Sequence, residues 1–212
     1  MQKIPDTEQL QHWSGEFGQG YIQRNMTNPD NLRARTALWS DVMSCMMGQP
    51  PKAILEVGSN VGSNLLAIQN ISDAELFAVE PFDDARKVLI EKGVVKAENA
   101  FAASAQSIPM EDGSVDMAFT NGVLIHIHPD NLLDACREIY RTSRRYIVCI
   151  EYFSDKAETI PYHGHDNLLF KRDFGGFWMD NFPDLRVMNY GFNWKRVTGM
   201  DNLTWWVFEK NG

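Results

Sequence analysis

Leu55–Gly62 reads LEVGSNVG, and its reading decides the fold. It overlaps the apolar run Ala53–Val57 (AILEV), which has the length and content of a buried strand, and it leads into Ser63–Gln69, where a helical pattern begins. A strand, a glycine-containing turn and a helix in that order open a βαβ unit. Gly58 allows the tight turn and Gly62 allows the following helix to pack close, while Glu56 stands at the strand end one residue before the turn.

Working outward, the same alternation continues. Glu75–Val79 (ELFAV) is expected to be the second strand, Asp83–Lys92 a helix closed by Gly93, Ala100–Ala103 a weak third strand and Val115–Thr120 a fourth. Pro129–Arg141 carries Leu132, Leu133, Ala135, Cys136 and Ile139 at helical spacing, and Tyr146–Ile150 (YIVCI) is a fifth strand. Strands alternating with helices imply a parallel sheet covered on both faces. After residue 151 the rhythm changes. A polar stretch precedes two strand-like runs, Leu185–Trp194 and Leu203–Glu209, which must pair antiparallel because no crossover helix separates them. Before the first strand, a helix is expected over Asn31–Met47, so residues 1–50 read as a helical lid segment and 51–212 as one compact unit.

Composition narrows the function classes. With 212 residues and 44% hydrophobic content the chain can bury one substantial core. Its net charge of −8 opposes polyphosphate, and the densest basic stretch, Arg137–Arg145, reads as a solvated helix face, so no nucleic-acid partner is expected. Three cysteines without a CxxC fit reduced thiols. The N-terminus lacks a signal-peptide pattern and no run approaches the roughly 20 apolar residues of a membrane span, so a cytoplasmic protein without a membrane partner is expected.

The turn gains meaning from what stands 22 residues beyond Gly58, at the end of the second strand: Glu80, in AVEPF. A carboxylate there can accept hydrogen bonds from both hydroxyls of a ribose. LEVGSNVG, AVEPF and then SAQSIPMEDGSVDMAFTNGVLIHI (104–127) together resemble the successive motifs of class I S-adenosylmethionine-dependent methyltransferases. That resemblance implies an α/β, Rossmann-like, seven-stranded and mostly parallel sheet with an antiparallel last strand and helices on both faces. It also implies S-adenosylmethionine as cofactor, S-adenosylhomocysteine as its product and a small-molecule methyl acceptor. Glu56, Gly58 and Gly62 would hold the amino acid part of the cofactor, Glu80 the ribose, and Pro81 and Phe82 would border the adenine. Ser104, Ala105 and Gln106 match the segment at the adenine edge; Thr120, Asn121 and Gly122 match the floor beneath the methionine. One position departs from the pattern: Asn60 stands where a second glycine is usual, and Asn is the least damaging replacement because it tolerates left-handed backbone.

Further segments, WSGEFGQGYIQRN (13–25), VLIHIHPDNL (123–132), HGHDNLLFKRDFG (163–175) and NLTWWVFEK (202–210), are similar to the methylases associated with pseudaminic acid biosynthesis, which implies a sugar or sugar-like acid as acceptor. Tyr21 is placed to cover the cofactor and Arg24 to pair with its carboxylate, although this segment reads equally as an amphipathic stretch packed on the core. His126 lies just past the floor, where an imidazole near its unperturbed pKa of about 6.5 can act as general base. Tyr152, Tyr162, His163, His165 and Arg172 are the acceptor-recognition candidates, in a stretch too polar for core. The paired histidines lack a completing carboxylate or cysteine, so no metal is expected. Two other classes stay open: a nicotinamide-dependent oxidoreductase, which would want the GxGxxG that Asn60 interrupts, and a catalytically silent binding module of the same fold.

Overall fold

The computed structural model describes residues 7–14, 20, 29–162 and 164–211. Seven strands form the main sheet: β1 (Ala53–Val57), β2 (Glu75–Val79), β3 (Ala100–Phe101), β4 (Val115–Asn121), β5 (Ser143–Glu151), then, after the small hairpin β6 (Glu158–Thr159) and β7 (Phe170–Lys171), β8 (Leu185–Asn193) and β9 (Leu203–Lys210). Their spatial order is β3-β2-β1-β4-β5-β9-β8. β1 pairs in parallel with both β2 and β4, and β9 runs antiparallel between β5 and β8. The sheet is thus Rossmann-like, with the last strand inserted against the common direction. Strand order reverses at β1 and β4, so the loops leaving their C-terminal ends diverge and open a crevice there.

Among the described residues the helices are α1 (Glu8–Ser14), α2 (Pro29–Met43), α3 (Ser63–Gln69), α4 (Asp83–Glu91), α5 (Pro129–Thr142), α6 (Phe174–Asn181) and the single turn α7 (Lys195–Thr198). Because side chains alternate along a strand, each strand feeds two cores. Ile54 and Phe119 face one, with Leu65 and Ile68 of α3; Leu55, Val57 and Ala118 face the other, with Ala135, Cys136 and Ile139 of α5. Local chemistry sets the helix starts. Proline begins α5 behind His128, whose ring nitrogen accepts from the Asp130 N–H, and Asp173 caps α6 by accepting from the Gly176 N–H at 2.9 Å.

Two expectations change. The stretch after β5 is not wholly polar surface: Leu168, Leu169, Phe170 and Phe174 are buried, and α6 adds Trp178. The apolar runs LLF and FGGFW sit between charged residues, which dilutes their signal over any window long enough to show a period. α2 also belongs to the core, since Leu38, Trp39 and Val42 are buried and the Trp39 ring meets Phe119 edge-on at 4.4 Å. α2 also reaches the crevice, where Asn31, Arg35 and Leu38 line its wall. In the basic stretch, Arg137, Arg141, Arg144 and Arg145 each pair with a carboxylate, of Asp134, Glu138 and Asp112, Asp116 and Glu209 respectively.

Trp39→Ala should therefore behave as a core truncation, costing about 3–5 kcal/mol. Urea unfolding measures it, and an unchanged midpoint would mean that α2 unfolds apart from the sheet.

Candidate functional site

The crevice is a cleft of about 750 Å³ at the C-terminal ends of β1, β2 and β4. Glu56 lies at its floor, 1% exposed, near the end of β1 and two residues before Gly58. Its Oε1 accepts from Asn64 Nδ2 at 2.7 Å, and its Oε2 has no hydrogen-bond partner among the described residues. Burial pushes its pKa up to about 8, against the smaller opposing effects of Asn64 and Arg35. Asn64 Oδ1 in turn accepts from Arg35 Nη1 at 2.7 Å, Asn121 Nδ2 at 3.2 Å and Trp39 Nε1 at 3.4 Å. Guanidinium and indole only donate, so the amide must face them with its oxygen and Glu56 with its nitrogen. Nothing in sequence spacing singles out Asn64, because its partners come from α2 and β4.

Glu80, 4% exposed at the end of β2, accepts the Asn60 N–H at 2.6 Å on one oxygen and the Phe82 N–H at 3.0 Å on the other. Burial raises its pKa to about 7. Asn60 has φ +48°, the left-handed conformation expected of it, and this carries its N–H toward Glu80. Gly58, at φ +76°, answers a second demand: a Cβ there would lie 2.6 Å from Val123 Cγ2, so the loop after β4 closes on the turn only over a glycine. Around the same wall, Ser59 Oγ, Asn60 Oδ1 and Ser104 Oγ are buried without partners among the described residues. Together with Glu56 Oε2 they form a polar lining that lacks the hydrogen bonds buried groups normally make, as expected of a surface shaped for a polar ligand.

Pro81, Phe82, Ser104, Ala105, Gln106, Asn121, Gly122, His126, Tyr152 and Tyr162 also line the cleft. Gly62 does not. At φ +75° its missing Cβ makes room for Val94 and Leu89, the packing role expected for it but beneath the wall rather than on it. Thr120, 1% exposed, turns away from the cleft and hydrogen bonds to Glu151. Neither His165 nor Arg172 reaches the cleft wall: the His165 ring sits 4.7 Å from that of His12, and the Arg172 guanidinium covers the Phe177 ring at 5.2 Å. Tyr21, Arg24 and His163 fall outside the described residues. Beyond the sequence-derived set, Arg35, Asn64 and Asp201 line the cleft, and the Tyr152 hydroxyl donates to Asp201 Oδ2 at 2.8 Å.

His126 ends the 3-10 turn Leu124–His126. Its Nδ1 lies 2.8 Å from the Leu168 carbonyl oxygen, which can only accept, so Nδ1 carries the proton and the lone pair is on Nε2. Burial lowers its pKa to about 4. The expectation of an imidazole titrating near 6.5 is therefore corrected, because packing under the loop before β7 removes the water that would stabilise the cation. The ring centroid is 5.6 Å from that of Tyr162. Among the described residues no group of three or more His, Cys, Asp or Glu could hold a metal ion, and no helix is long and apolar enough to cross a membrane.

Residues 55–146 match the family model described as a methyltransferase domain. No curated protein matches the sequence. Among solved structures, the Burkholderia thailandensis 1,6-didemethyltoxoflavin-N1-methyltransferase, with bound 1,6-didemethyltoxoflavin and S-adenosylhomocysteine, is similar over 100% of this chain and 94% of its own, at 16% identity and TM-score 0.73. The magnesium protoporphyrin IX methyltransferase of Synechocystis PCC 6803, with bound S-adenosylhomocysteine, is similar over 97% and 100%, at 13% identity and TM-score 0.67. The [4+2]-cyclase SpnF is similar over 82% and 81%, at 12% identity and TM-score 0.61. At such identities the likeness speaks for the fold, and the cyclase shows that one fold carries more than one reaction.

The raised carboxyls imply a pH dependence of the ligand-free protein. Between the ordinary value of 4.5 and about 8, folded Glu56 binds more protons than unfolded Glu56, so its stability contribution is full at low pH and is lost as pH rises through about 8. Glu80 and Glu151, both raised to about 7, act in the same direction. Melting temperature should fall from pH 6 to pH 8.5, and Glu56→Gln should flatten the upper part of that fall. A melting temperature that rises over this range would contradict the burial argument.

Proposed function

We propose that this protein transfers the methyl group of S-adenosylmethionine to a small polar metabolite. The observation that carries the reading is the pair of buried carboxylates, Glu56 and Glu80, at the ends of adjacent strands on one wall with polar atoms that have no hydrogen-bond partner among the described residues. The residues fit the cofactor. Each Glu80 oxygen accepts one backbone N–H and keeps a lone pair for a ribose hydroxyl. Glu56 Oε2, without a partner among the described residues, suits the cofactor's ammonium group, and Ser104 and Gln106 suit the adenine edge. In this reading Tyr21 covers the cofactor and Arg24 pairs with its carboxylate. The match of residues 55–146 to a methyltransferase domain supports the same cofactor.

When bound, the cofactor supplies an electrophilic methyl on a sulfonium whose departure as a thioether needs no proton. Alignment is then the chain's main contribution. The His126 Nε2 lone pair accepts a hydrogen bond from an acceptor hydroxyl or amine and orients it. With its pKa near 4, this imidazole takes the proton only once methyl arrival has made the acceptor strongly acidic. We assign the acceptor to the sugar or sugar-like class on the resemblance to the pseudaminic acid-associated methylases, with the cleft-lining Tyr152 and Tyr162 as its hydroxyl partners. The small-molecule substrates named for the toxoflavin and porphyrin enzymes accord with an acceptor of this size. A cytoplasmic location belongs to the same reading.

Thermal shift and calorimetry test the cofactor. S-adenosylmethionine and S-adenosylhomocysteine should stabilise the protein by about 2.7 kcal/mol at a hundredfold excess over Kd, and NAD should not. Glu80→Ala should remove hydrogen bonds worth about 1.5–3 kcal/mol each. Stabilisation by NAD alone would favour an oxidoreductase. Labelled S-adenosylmethionine incubated with cell extract then identifies the acceptor, and the absence of any labelled product or released S-adenosylhomocysteine would favour a silent binding module.

His126→Ala should lower turnover by roughly 10²–10⁴-fold with cofactor affinity nearly unchanged. Full turnover in that variant would leave alignment by the other residues as the whole mechanism.

A further inference from the structure

One buried acid plays no part in holding the cofactor. Glu151 ends β5 with 0% exposure, away from the cleft wall. Its Oε1 accepts the N–H groups of Val123 at 3.1 Å and Leu124 at 3.0 Å, and its Oε2 lies 3.4 Å from the N–H of Ile125. The Thr120 hydroxyl completes the set. Val123 precedes and Leu124 and Ile125 begin the 3-10 turn that ends in His126, and the first N–H groups of such a turn have no partner within it. The same loop packs Val123 on the Gly58 turn, and Leu168 holds the His126 ring from the opposite side.

We propose that Glu151 is a positioning residue, whose carboxylate gathers the Val123–Ile125 N–H groups and so fixes the loop that aims His126 into the cleft. As a role in catalysis this rests on the methyl-transfer reading; as a role in ordering the loop it stands apart from it. A carboxylate suits the task because it is an acceptor at every lone pair. Protonation would turn one oxygen into a donor facing N–H donors, and the loop would lose at least one of its ties. Burial raises the Glu151 pKa to about 7, so that change falls in the neutral range, whereas His126 itself stays neutral down to about 4. Among the described residues the titratable groups facing Glu151 are Cys149 on its own strand and Cys136 on α5, and burial raises both thiols so that they stay neutral there. Its hydrogen-bond donors are all neutral: three backbone N–H groups and the hydroxyl of Thr120 on β4. A loss of activity on the acid side of neutrality would therefore not come from the imidazole, and Glu151 is told apart from Glu80, which is raised to about 7 as well, by its own backbone partners.

The test is an amide NMR titration of the full chain without ligand, from about pH 5.5 to about pH 8.5. The Val123, Leu124 and Ile125 resonances should move together in one step near pH 7, and the step should vanish in Glu151→Gln, which keeps one accepting oxygen. It should persist in His126→Ala. The Asn60 N–H reports Glu80 separately, so the two acids are told apart. Flat resonances in the wild-type protein, or a step retained in Glu151→Gln, would overturn the proposal. With an acceptor in hand and cofactor saturating, Glu151→Gln should lower kcat by about a hundredfold and leave S-adenosylhomocysteine affinity within about twofold. Equal losses in both would mean a general structural role and overturn the assignment. If no acceptor is ever methylated, the methyl-transfer reading fails while the resonance step still decides the place of Glu151.

Discussion

Asn64 donates to a carboxylate from which water is excluded, while its own oxygen collects donors from Arg35, Trp39 and Asn121. Through this one amide the helix before the sheet, the end of β1, the start of α3 and the end of β4 meet at the floor of the cleft. A buried carboxyl must be neutral or well partnered, and the floor is built around that constraint. Glu56 accepts from Asn64 on one oxygen, its other oxygen has no hydrogen-bond partner that meets ordinary geometry among the described residues, and its pKa is raised to about 8 by burial. A cationic ligand placed there would draw the group into its ionised form, so binding and proton release should be coupled. Trp39 explains why α2 cannot be a loose cover: the helix that supplies Arg35 to the floor also fills the core beneath it.

The same economy recurs at three strand ends. Glu56, Glu80 and Glu151 terminate β1, β2 and β5, each buried and each raised to neutrality or above. Their partners differ, and with them their roles. Glu80 holds the N–H groups of the turn after β1 and of Phe82, Glu151 holds the loop after β4, and Glu56 is left with an oxygen facing the cleft. Parallel sheets make this arrangement natural, since all their C-terminal ends and the loops leaving them lie on one edge. Proteins of this fold carry out different reactions, the named cyclase among them, so the chemistry of the chain has to be argued from its site.

Much of this was legible in the primary structure because it rests on local rules. The strand and helix alternation from Ala53 to Ile150 follows from periodicity, and the antiparallel ending follows from two consecutive strands without a crossover helix. Asn60 is a sharper case. Its left-handed backbone follows from its place in a glycine turn, and the structure has it at φ +48°. Gly62 was legible as a residue of close helix packing, which is how Val94 and Leu89 use it. The apolar interior of the segment after β5 was hidden because charged neighbours flank each short run.

The sequence by itself determined the order of the elements from β1 to β5, the turn that opens the cleft and the two acids, Glu56 and Glu80, that stand at its edge, because each depends on residues close together in the chain. Tertiary structure alone decided which polar residues face one another. Asn64 became the hub of the floor through partners 8, 25, 29 and 57 positions away. Arg172 was drawn off to the ring of Phe177 and Thr120 to Glu151, and neither pairing follows from spacing. His126 kept its place beside the cleft yet lost its ordinary pKa, because a charge's cost is set by the water around it, and the packing that removes that water comes from a loop 42 residues further on.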